Sequence, residues 1–265
     1  MTGAEGGSPV TGAEGDSPVT GAEGDSPVTL SERTRLEARE IIARYPQPRS
    51  ALLPMLHLLQ SEQGYVTAEG IALCAEELGL TRAEVGAVAT FYTMYRRKPA
   101  GTYHVGVCTN TLCAVLGGDA ILASVKDHLG IGHNETTEDG SLSLEHIECN
   151  AACDYAPVVM VNWEFYDNQT PASTRELVDA CREGNPPAPT RGPDSLVTFR
   201  QASRILAGFP DGRAGEGVQA GLATLVGLEV AKQRGDRAPD LPGTTSATTP
   251  ETAAPGTAAA PTSEA

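Results

Sequence analysis

Apolar residues between positions 29 and 98 recur at intervals of three and four, which is the spacing of one face of a helix. The recurring residues form four groups: Ala38, Ile41, Ile42 and Tyr45; Leu52, Leu53, Leu56 and Leu59; Ile71, Cys74 and Leu78; and Val85, Val88, Ala89 and Tyr92. T-x-x-E capping boxes at Thr29 and Thr81 open the first and fourth groups, while Gly64 and Gly79 follow the second and third. Residues 29–98 are therefore predicted to form a helical bundle.

After Pro99 the pattern becomes mixed and predicts an α/β domain over residues 99–185. The predicted order is strand 102–107, helix about 112–129, strand 142–148, strand 157–162 and helix about 173–183. This β-α-β-β-α order is compatible with a reduced thioredoxin-like sheet. The fold class is therefore predicted to be α/β, with the helical bundle in front of the sheet.

Residues 186–235 form a C-terminal extension that contains both apolar residues and many glycines. Its apolar positions are Leu196, Val197, Phe199, Ile205, Leu206 and Phe209. Glycines such as Gly208 and Gly221 interrupt long helices. Two interpretations are open: an ordered extension that docks on a neighbouring subunit, and a solvent-exposed linker.

The two ends of the chain are predicted to be disordered. Residues 1–28 contain the acidic nonapeptide repeats TGAEGGSPV, once, and TGAEGDSPV, twice, and residues 236–265 are rich in Pro, Thr and Ala. Neither composition can bury a core.

The charge and hydropathy of the whole chain exclude two classes of partner. A formal net charge of −15 argues against nucleic acid. No stretch approaches the length of apolar residues that spans a bilayer, and the N-terminus has no basic region followed by an apolar one. We therefore expect no direct membrane insertion and a cytoplasmic location.

Four of the six cysteines form two short clusters, each where a predicted strand ends. Cys108 and Cys113 make a C-x4-C pair, and Cys149 and Cys153 make a C-x3-C pair. Two such loops on one small domain can close around one metal centre. Four thiolates suit a 2Fe-2S cluster, but zinc also takes four cysteines at short spacings, so a structural zinc site is an open alternative.

Other uses of the thiols fit the sequence less well. The closeness of the paired cysteines and the lack of a secretory signal argue against disulfides, and C-x-x-C, the pattern of thioredoxin-like dithiol enzymes, is absent. Cys74 and Cys181 lie in helical patterns and are expected to pack as small apolar residues. Packing is also expected for His57, His104 and the aromatic stripe 91–95, rather than metal or cofactor binding.

The surroundings of the four cysteines predict a cluster of low reduction potential. A negatively charged centre needs amide donors, and short, unobstructed ones are available at Gly106, Asn110, Asn150, Ala151 and Ala152. The helix after Cys113 would direct its positive N-terminal end toward the centre and partly offset its negative charge, and a purely structural role for this helix start is the open alternative. Added negative charge opposes the uptake of another electron, and it is present at Glu145, Glu148 and Asp154.

Two segments, VATFYTMYRRKPAGTYHVGVCTNTLC and IECNAACDYAPVVMVN, closely resemble the 2Fe-2S E subunit of bacterial NADH-quinone oxidoreductase, respiratory complex I. The resemblance covers about residues 30–185. It implies a thioredoxin-like domain that holds one 2Fe-2S cluster. The cluster ligands of the family fall on Cys108, Cys113, Cys149 and Cys153. The family often has Leu-Gly where this chain has Asn150-Ala151, a difference within the chelating turn.

The same resemblance implies a function in electron transfer. NADH would reduce FMN on an adjacent F subunit, and the cluster of this chain would exchange single electrons with that flavin. The implied partners are this flavin- and NADH-binding F subunit and an iron–sulfur G subunit, in a complex at the cytoplasmic side of the membrane. No G-x-G-x-x-G loop, P-loop or nucleophile–base arrangement occurs here, so NADH and FMN are expected on a partner, and no acid–base catalyst is expected in this chain.

Two alternatives to this function are open from the sequence. One is the same module in an NAD-linked hydrogenase or formate dehydrogenase, which would differ in the chemistry of the partner. The other is a non-redox interaction module stapled by zinc.

Overall fold

A computed structural model describes residues 30–237 of the chain. The predicted disorder of residues 1–28, and of 236–265 apart from the first two positions, concerns segments outside the described residues. Within the described part, no helix has the length and apolar composition that crossing a membrane requires.

Four helices form the first part of the fold and share one apolar core, as the spacing predicts. They are α1 (Glu32–Ala43), α2 (Leu52–Gln63), α3 (Ala68–Leu78) and α4 (Arg82–Phe91). Three members of the predicted faces are exposed instead. Leu53 lies on the outer side of α2, while Tyr45 and Tyr92 follow the last turns of α1 and α4, where the helical spacing no longer applies.

The N-terminal cap predicted for α4 is correct, whereas the one predicted for α1 is wrong. At α4 both bonds of the Thr81–Glu84 capping box are present. At α1 the predicted box is wrong: Ser31 is the cap and accepts a hydrogen bond from the Thr34 amide, and Glu32 is the first helical residue. Thr29 lies outside the described residues. The error is a shift of two residues in the start of a correctly predicted helix.

The second part of the described chain is a five-stranded mixed sheet. The strands are β1 (Tyr103–Cys108), β2 (Glu135–Thr136), β3 (Leu142–Ile147), β4 (Val159–Val161) and β5 (Glu164–Tyr166). Their order is β2-β3-β1-β4-β5, with β1 and β3 parallel and the other neighbours antiparallel. The sheet confirms the predicted α/β class. The sequence missed β2 and β5, which are only two and three residues long.

Three helices alternate with or follow the strands of this sheet. They are α5 (Thr111–Val115), α6 (Gly118–Leu129) and α7 (Pro171–Arg182). Side chains of α6 and α7 pack on one face of β1 and β3, where Val105, Ile121 and Val178 are fully buried. The single helix predicted over 112–129 is wrong, because the chain breaks between α5 and α6 at Gly117, whose φ is 112°.

The C-terminal extension contributes two helices with opposite surroundings. Helix α8 (Phe199–Leu206) packs against α2, so this part of the extension covers the protein's own core. The Phe199 N–H donates to the Thr102 carbonyl at 2.8 Å, and the Gln60 side chain donates to the Ser203 hydroxyl at 3.2 Å. Helix α9 (Leu222–Arg234) has no buried residue. The contacts of α8 with α2 exclude a solvent-exposed linker for this part of the extension. Docking of the extension on a neighbouring subunit stays a prediction.

Candidate cluster-binding site

The four clustered cysteines lie at one end of the sheet. Cys108 is the last residue of β1 and Cys113 lies in α5, while Cys149 follows β3 and Cys153 begins a short 3-10 turn that ends at Tyr155. Strands β1 and β3 are parallel neighbours, with Cys108 opposite Ile147. The segments that follow these two strands therefore leave the sheet at the same edge. The predicted position of both clusters at strand ends is correct.

The two pairs differ in their exposure to solvent. Cys108 and Cys113 are 2% and 3% exposed and pack with Ala152 and Val158 in a small apolar cluster. Cys149 and Cys153 are exposed, and their Sγ atoms are 3.9 Å apart. One half of the site is therefore sealed from water and the other half reaches the surface.

The close approach of the four thiols affects their ionisation. Burial raises the pKa of Cys113 to about 11, and the neighbouring thiols of Cys108 and Cys153 add to this effect. The pKa of Cys153 is also raised, chiefly by the adjacent Cys149 thiol. The four thiols lose their protons more readily when a positively charged metal centre compensates the negative charge of the thiolates.

The other two cysteines are buried in the apolar cores, as predicted. Cys74 lies in the core of the helices and Cys181 in that of the sheet. Burial raises the pKa of each thiol to about 12. Both are therefore inert side chains that pack like small apolar residues.

The turn between Cys149 and Cys153 supplies amide donors of the predicted kind. The Ala151 N–H points at the Cys149 Sγ, at 3.4 Å. The side-chain Nδ2 of Asn150 is buried without a hydrogen-bond partner among the described residues. An orphaned donor beside a thiol fits a sulfur-rich, negatively charged group, since such a group accepts several N–H bonds.

Ala151 adopts an unusual backbone conformation to make this turn. Its φ is 55°, in the left-handed region that glycine visits at little cost. This position is also the one at which the resembling family often has glycine. The turn therefore keeps its shape with alanine at some cost in conformational strain.

Gly118, the first residue of α6, allows that helix to approach the cysteines, a role the sequence analysis did not recognise. A Cβ atom at this position would lie 2.5 Å from the Cys108 carbonyl oxygen and 2.9 Å from that of Cys113. Any side chain would push α6 away from the first chelating segment. The pattern of a helical run broken by Gly117-Gly118 is the signal that could have located this contact.

The face of the sheet opposite α6 and α7 carries a buried polar network next to the site. His104 contacts the Ser143 hydroxyl through Nδ1 and Glu145 through Nε2, each at 2.9 Å, and Arg96 donates to Glu145 at 3.0 Å. The expectation that His104 packs inside the protein holds, although its contacts are polar. His104 and Arg96 lie 41 and 49 positions before Glu145 in the chain, so no local sequence pattern indicates these contacts.

The network consists of the Arg96–Glu145 ion pair and the imidazole of His104, which is hydrogen-bonded to the same carboxylate. Burial lowers the pKa of His104, with the hydrogen bond to Glu145 opposing it. Burial of Glu145 would raise its pKa, but the hydrogen bond from His104 and the charge of Arg96 outweigh this and lower it. Glu145 was expected to add free negative charge to the site. Its charge is instead balanced by Arg96.

A cavity of about 210 Å³ is lined by residues of both the polar network and the second chelating segment. His104 and Glu145 line it together with Cys149, Asn150 and Trp163. Asn150, whose side-chain Nδ2 has no hydrogen-bond partner among residues 30–237, therefore belongs both to this cavity and to the chelating turn.

The other two acidic residues near the site have specific partners. Glu148 accepts a hydrogen bond from Asn110 at 2.9 Å, and Asp154 accepts one from the Thr224 hydroxyl. Both carboxylates remain exposed at the surface around the exposed cysteines.

The aromatic stripe is only partly packed. Tyr95 is buried and its hydroxyl donates to the Leu53 carbonyl at 3.0 Å. Phe91 is 77% exposed and meets Tyr92 edge-on, with ring centroids 5.0 Å apart. Phe91 and Tyr92 do not pack in the core, because α4 ends between them and turns their rings outward. Packing of these two rings at an interface stays a prediction.

A family profile for thioredoxin-like 2Fe-2S ferredoxins matches residues 38–182 of the chain. The matched span covers the second half of α1, the helices α2–α4, the sheet, all four clustered cysteines and α7. This family implies an iron–sulfur cluster.

Individual relatives identify the type of subunit within this family. The E subunits of NADH-quinone oxidoreductase from Mycobacterium bovis and Mycobacterium tuberculosis (strain CDC 1551) are each 64% identical over 212 residues, which are 80% of this chain and 84% of theirs. An E subunit of the same enzyme from Rhizobium meliloti is 36% identical over 148 residues, 56% of this chain and 88% of that one. The chain belongs to the thioredoxin-like 2Fe-2S ferredoxin family, as an E subunit of NADH-quinone oxidoreductase, complex I.

Among solved structures, one titled as an air-oxidised NAD+-reducing NiFe-hydrogenase aligns with a TM-score of 0.46 and 21% identity. The alignment covers 51% of this chain and 23% of that one. A likeness at this level bears on no point of function.

Proposed function

We propose that this chain transfers single electrons within NADH-quinone oxidoreductase by means of one 2Fe-2S cluster. The proposed ligands are Cys108, Cys113, Cys149 and Cys153. The observation that carries the proposal is that two thiol pairs, one buried and one exposed, leave the same edge of the sheet. A bound cluster would supply the redox chemistry, by taking up and releasing one electron.

The arrangement of the donors favours a two-iron centre over the zinc alternative. A single zinc ion draws its four ligands toward one point. A 2Fe-2S core spreads four thiolates over two irons, which suits two separate pairs.

The residues around the cysteines have three tasks in this function. The apolar cluster of Cys108, Cys113, Ala152 and Val158 excludes water from one side. The Asn150 side chain and the Ala151 N–H are placed to donate hydrogen bonds toward sulfur, which stabilises negative charge. Exposure of Cys149 and Cys153 leaves a surface at which a partner's redox centre can come close.

The proposed exchange partner is FMN on an adjacent F subunit that binds NADH. An iron–sulfur G subunit is the second proposed neighbour. Support comes from the relatives, whose name states an NADH-oxidising activity, and from the exposed half of the site. The cysteines hold the cluster, and no residue of this chain is assigned acid–base catalysis.

Metal analysis of anaerobically purified protein tests the cluster. We expect iron and acid-labile sulfide in equal amounts and, after reduction, an electron paramagnetic resonance signal of one 2Fe-2S centre. Replacement of any of the four cysteines by serine should remove or distort that signal, since oxygen is a poorer ligand than thiolate here. Cys74→Ala is the matched control and should leave the signal unchanged. Zinc without sulfide would overturn the proposal.

Electron exchange is tested with the F subunit present. NADH should reduce the cluster of this chain only in a mixture that contains the flavin-loaded F subunit. Reduction by NADH without that subunit would contradict the assignment of FMN to the partner, and no reduction in its presence would contradict the exchange.

A further inference from the structure

Helix α9 presents apolar side chains that no described residue covers. Leu222 is 86% exposed and Val226 58%, and the remaining large apolar residues of the helix are exposed as well. These further residues are Leu225, Leu228 and Val230. A helix that is apolar on several sides is normally buried, and a contiguous exposed patch of this kind marks an interaction site.

The start of α9 is attached to the turn that carries Cys153. The Ala223 N–H donates to the Tyr155 hydroxyl at 3.3 Å, and the Thr224 hydroxyl donates to Asp154. Gly221 permits the contact, because a Cβ there would overlap the Tyr155 hydroxyl oxygen. The helix is thus held beside the exposed cysteines by residues 68 to 70 positions earlier in the chain.

A second exposed apolar set borders the site at the first chelating segment. Leu112 and Val115 flank Cys113 within α5, and Leu116 follows them. All three are exposed, Val115 by 77%. Apolar surface therefore adjoins both chelating segments, at α5 on one and at α9 on the other.

We propose that α9 and the exposed residues of α5 form one docking surface for the flavin-carrying F subunit, an inference that rests on the proposed function. Electron transfer requires the partner's flavin to approach the exposed side of the cluster. A partner that covers Cys149 and Cys153 meets the first turn of α9, because that turn is bonded to the segment 153–155. The contact between α9 and the segment 153–155 is therefore the reason why we name the F subunit as the partner that docks here.

Charge around the surface specifies the partner's chemistry further. Glu148 and Asp154 are exposed on the two sides of the exposed cysteine pair, and the chain as a whole carries −15. The complementary surface is apolar in the centre, to cover Leu222 and Val226, with basic side chains around it.

The test uses the full-length, cluster-loaded chain and the purified flavin-loaded F subunit. Val226→Asp places a charge in the proposed surface, and Leu36→Asp is the matched control, since Leu36 lies on α1 and is equally exposed at 58%. We expect Val226→Asp to weaken binding at least about tenfold, as for a central interface residue. Leu36→Asp should bind as the wild type does. Iron content and the paramagnetic spectrum of both variants should match those of the wild type, which excludes misfolding as the cause.

Other outcomes separate this inference from the function on which it rests. Unchanged binding by Val226→Asp, with normal reduction by NADH, would overturn the docking surface and leave the function intact. Failure of the wild-type chain to bind and to be reduced would overturn both. A wild-type dimer that Val226→Asp dissociates, or binding to anionic lipid vesicles that it abolishes, would assign the surface to a second copy or to a membrane and contradict the proposal.

Discussion

The side chain of Asn110 donates a hydrogen bond from Nδ2 to Glu148 at 2.9 Å and so connects the two chelating segments. Its Oδ1 accepts from the Thr111 amide at 3.2 Å and caps the short helix α5. One amide group thus fixes the start of the helix that carries Cys113 and the carboxylate next to Cys149. Positions 110 and 148 were expected to act separately, one as a donor and the other as a charge.

Glu148→Gln should raise the reduction potential of the cluster. The substitution removes a negative charge next to Cys149 while its amide oxygen still accepts the bond from Asn110. Because Glu148 is exposed, solvent screens its charge, and we expect a rise on the order of 20 mV. A redox titration at low ionic strength measures the change. Glu138→Gln, in the turn before β3 at the opposite end of the sheet, is the control and should have no effect. Equal shifts in both variants would show that the effect is one of net charge alone.

Ala151→Gly should stabilise the cluster-loaded protein by about 0.5–1 kcal/mol. Glycine removes the cost of the left-handed conformation at φ 55°, although it also gives the unfolded chain more freedom. Urea unfolding under anaerobic conditions measures the difference. Ala87→Gly in α4, where the backbone is helical, is the opposite control and should destabilise by a similar amount. If both variants lose stability, the turn stores no strain at Ala151.

Gly118→Ala should destabilise the protein by about 2–4 kcal/mol and lower its iron content. The new methyl group would meet the Cys108 carbonyl oxygen at 2.5 Å, so α6 and the first chelating segment must separate. Iron analysis and thermal unfolding measure the two effects. Gly86→Ala in α4 is the control, because a Cβ there meets nothing within 4 Å, and better helix propensity should make it neutral or stabilising. Full iron loading of Gly118→Ala would contradict the proposed contact.

His57 makes the folded protein less stable in mild acid. Its ring is buried against Tyr95, with centroids 4.8 Å apart, and burial lowers its pKa from 6.5 to about 4. The unfolded chain therefore binds a proton at His57 before the folded one does. The associated loss of stability begins as the pH falls below 6.5, continues to about 4, and amounts to about 3 kcal/mol.

His57→Leu, which keeps the volume of the side chain, should flatten this pH dependence. Urea unfolding between pH 4 and 7 can be followed through Trp163, the single tryptophan of the chain, whose ring centroid is 6.3 Å from that of His57. Curves of stability against pH that run parallel for wild type and variant would show that His57 does not titrate in this window.

The apolar spacing was sufficient to predict features that depend on local sequence. The helices α2 and α3, the Thr81 cap and the position of both cysteine clusters after strand ends follow from it. That both cysteine pairs lie at the same edge of the sheet was predictable because neighbouring parallel strands end there. Errors in the regular elements arose where the signal is short or shifted, as with β2, β5 and the Ser31 cap.

The rest of the candidate site depends on contacts between distant segments. Arg96 and Glu145 are 49 positions apart, and Asp154 and Thr224 are 70 apart. Nothing in the local pattern of Glu145 distinguishes it from Glu148, yet one is buried in an ion pair and the other is exposed. Charge counted along the sequence therefore overestimated the negative charge around the site.

Helix α8 sets the order in which the chain can complete its fold during synthesis. Gln60 in α2 bonds to Ser203, which leaves the ribosome 143 residues later. Until then the core of the first helices lacks the cover that Ala207 and Phe209 provide, so part of its apolar surface stays exposed to solvent. We therefore expect a nascent chain that stops before α8 to bind chaperones through this exposed apolar surface.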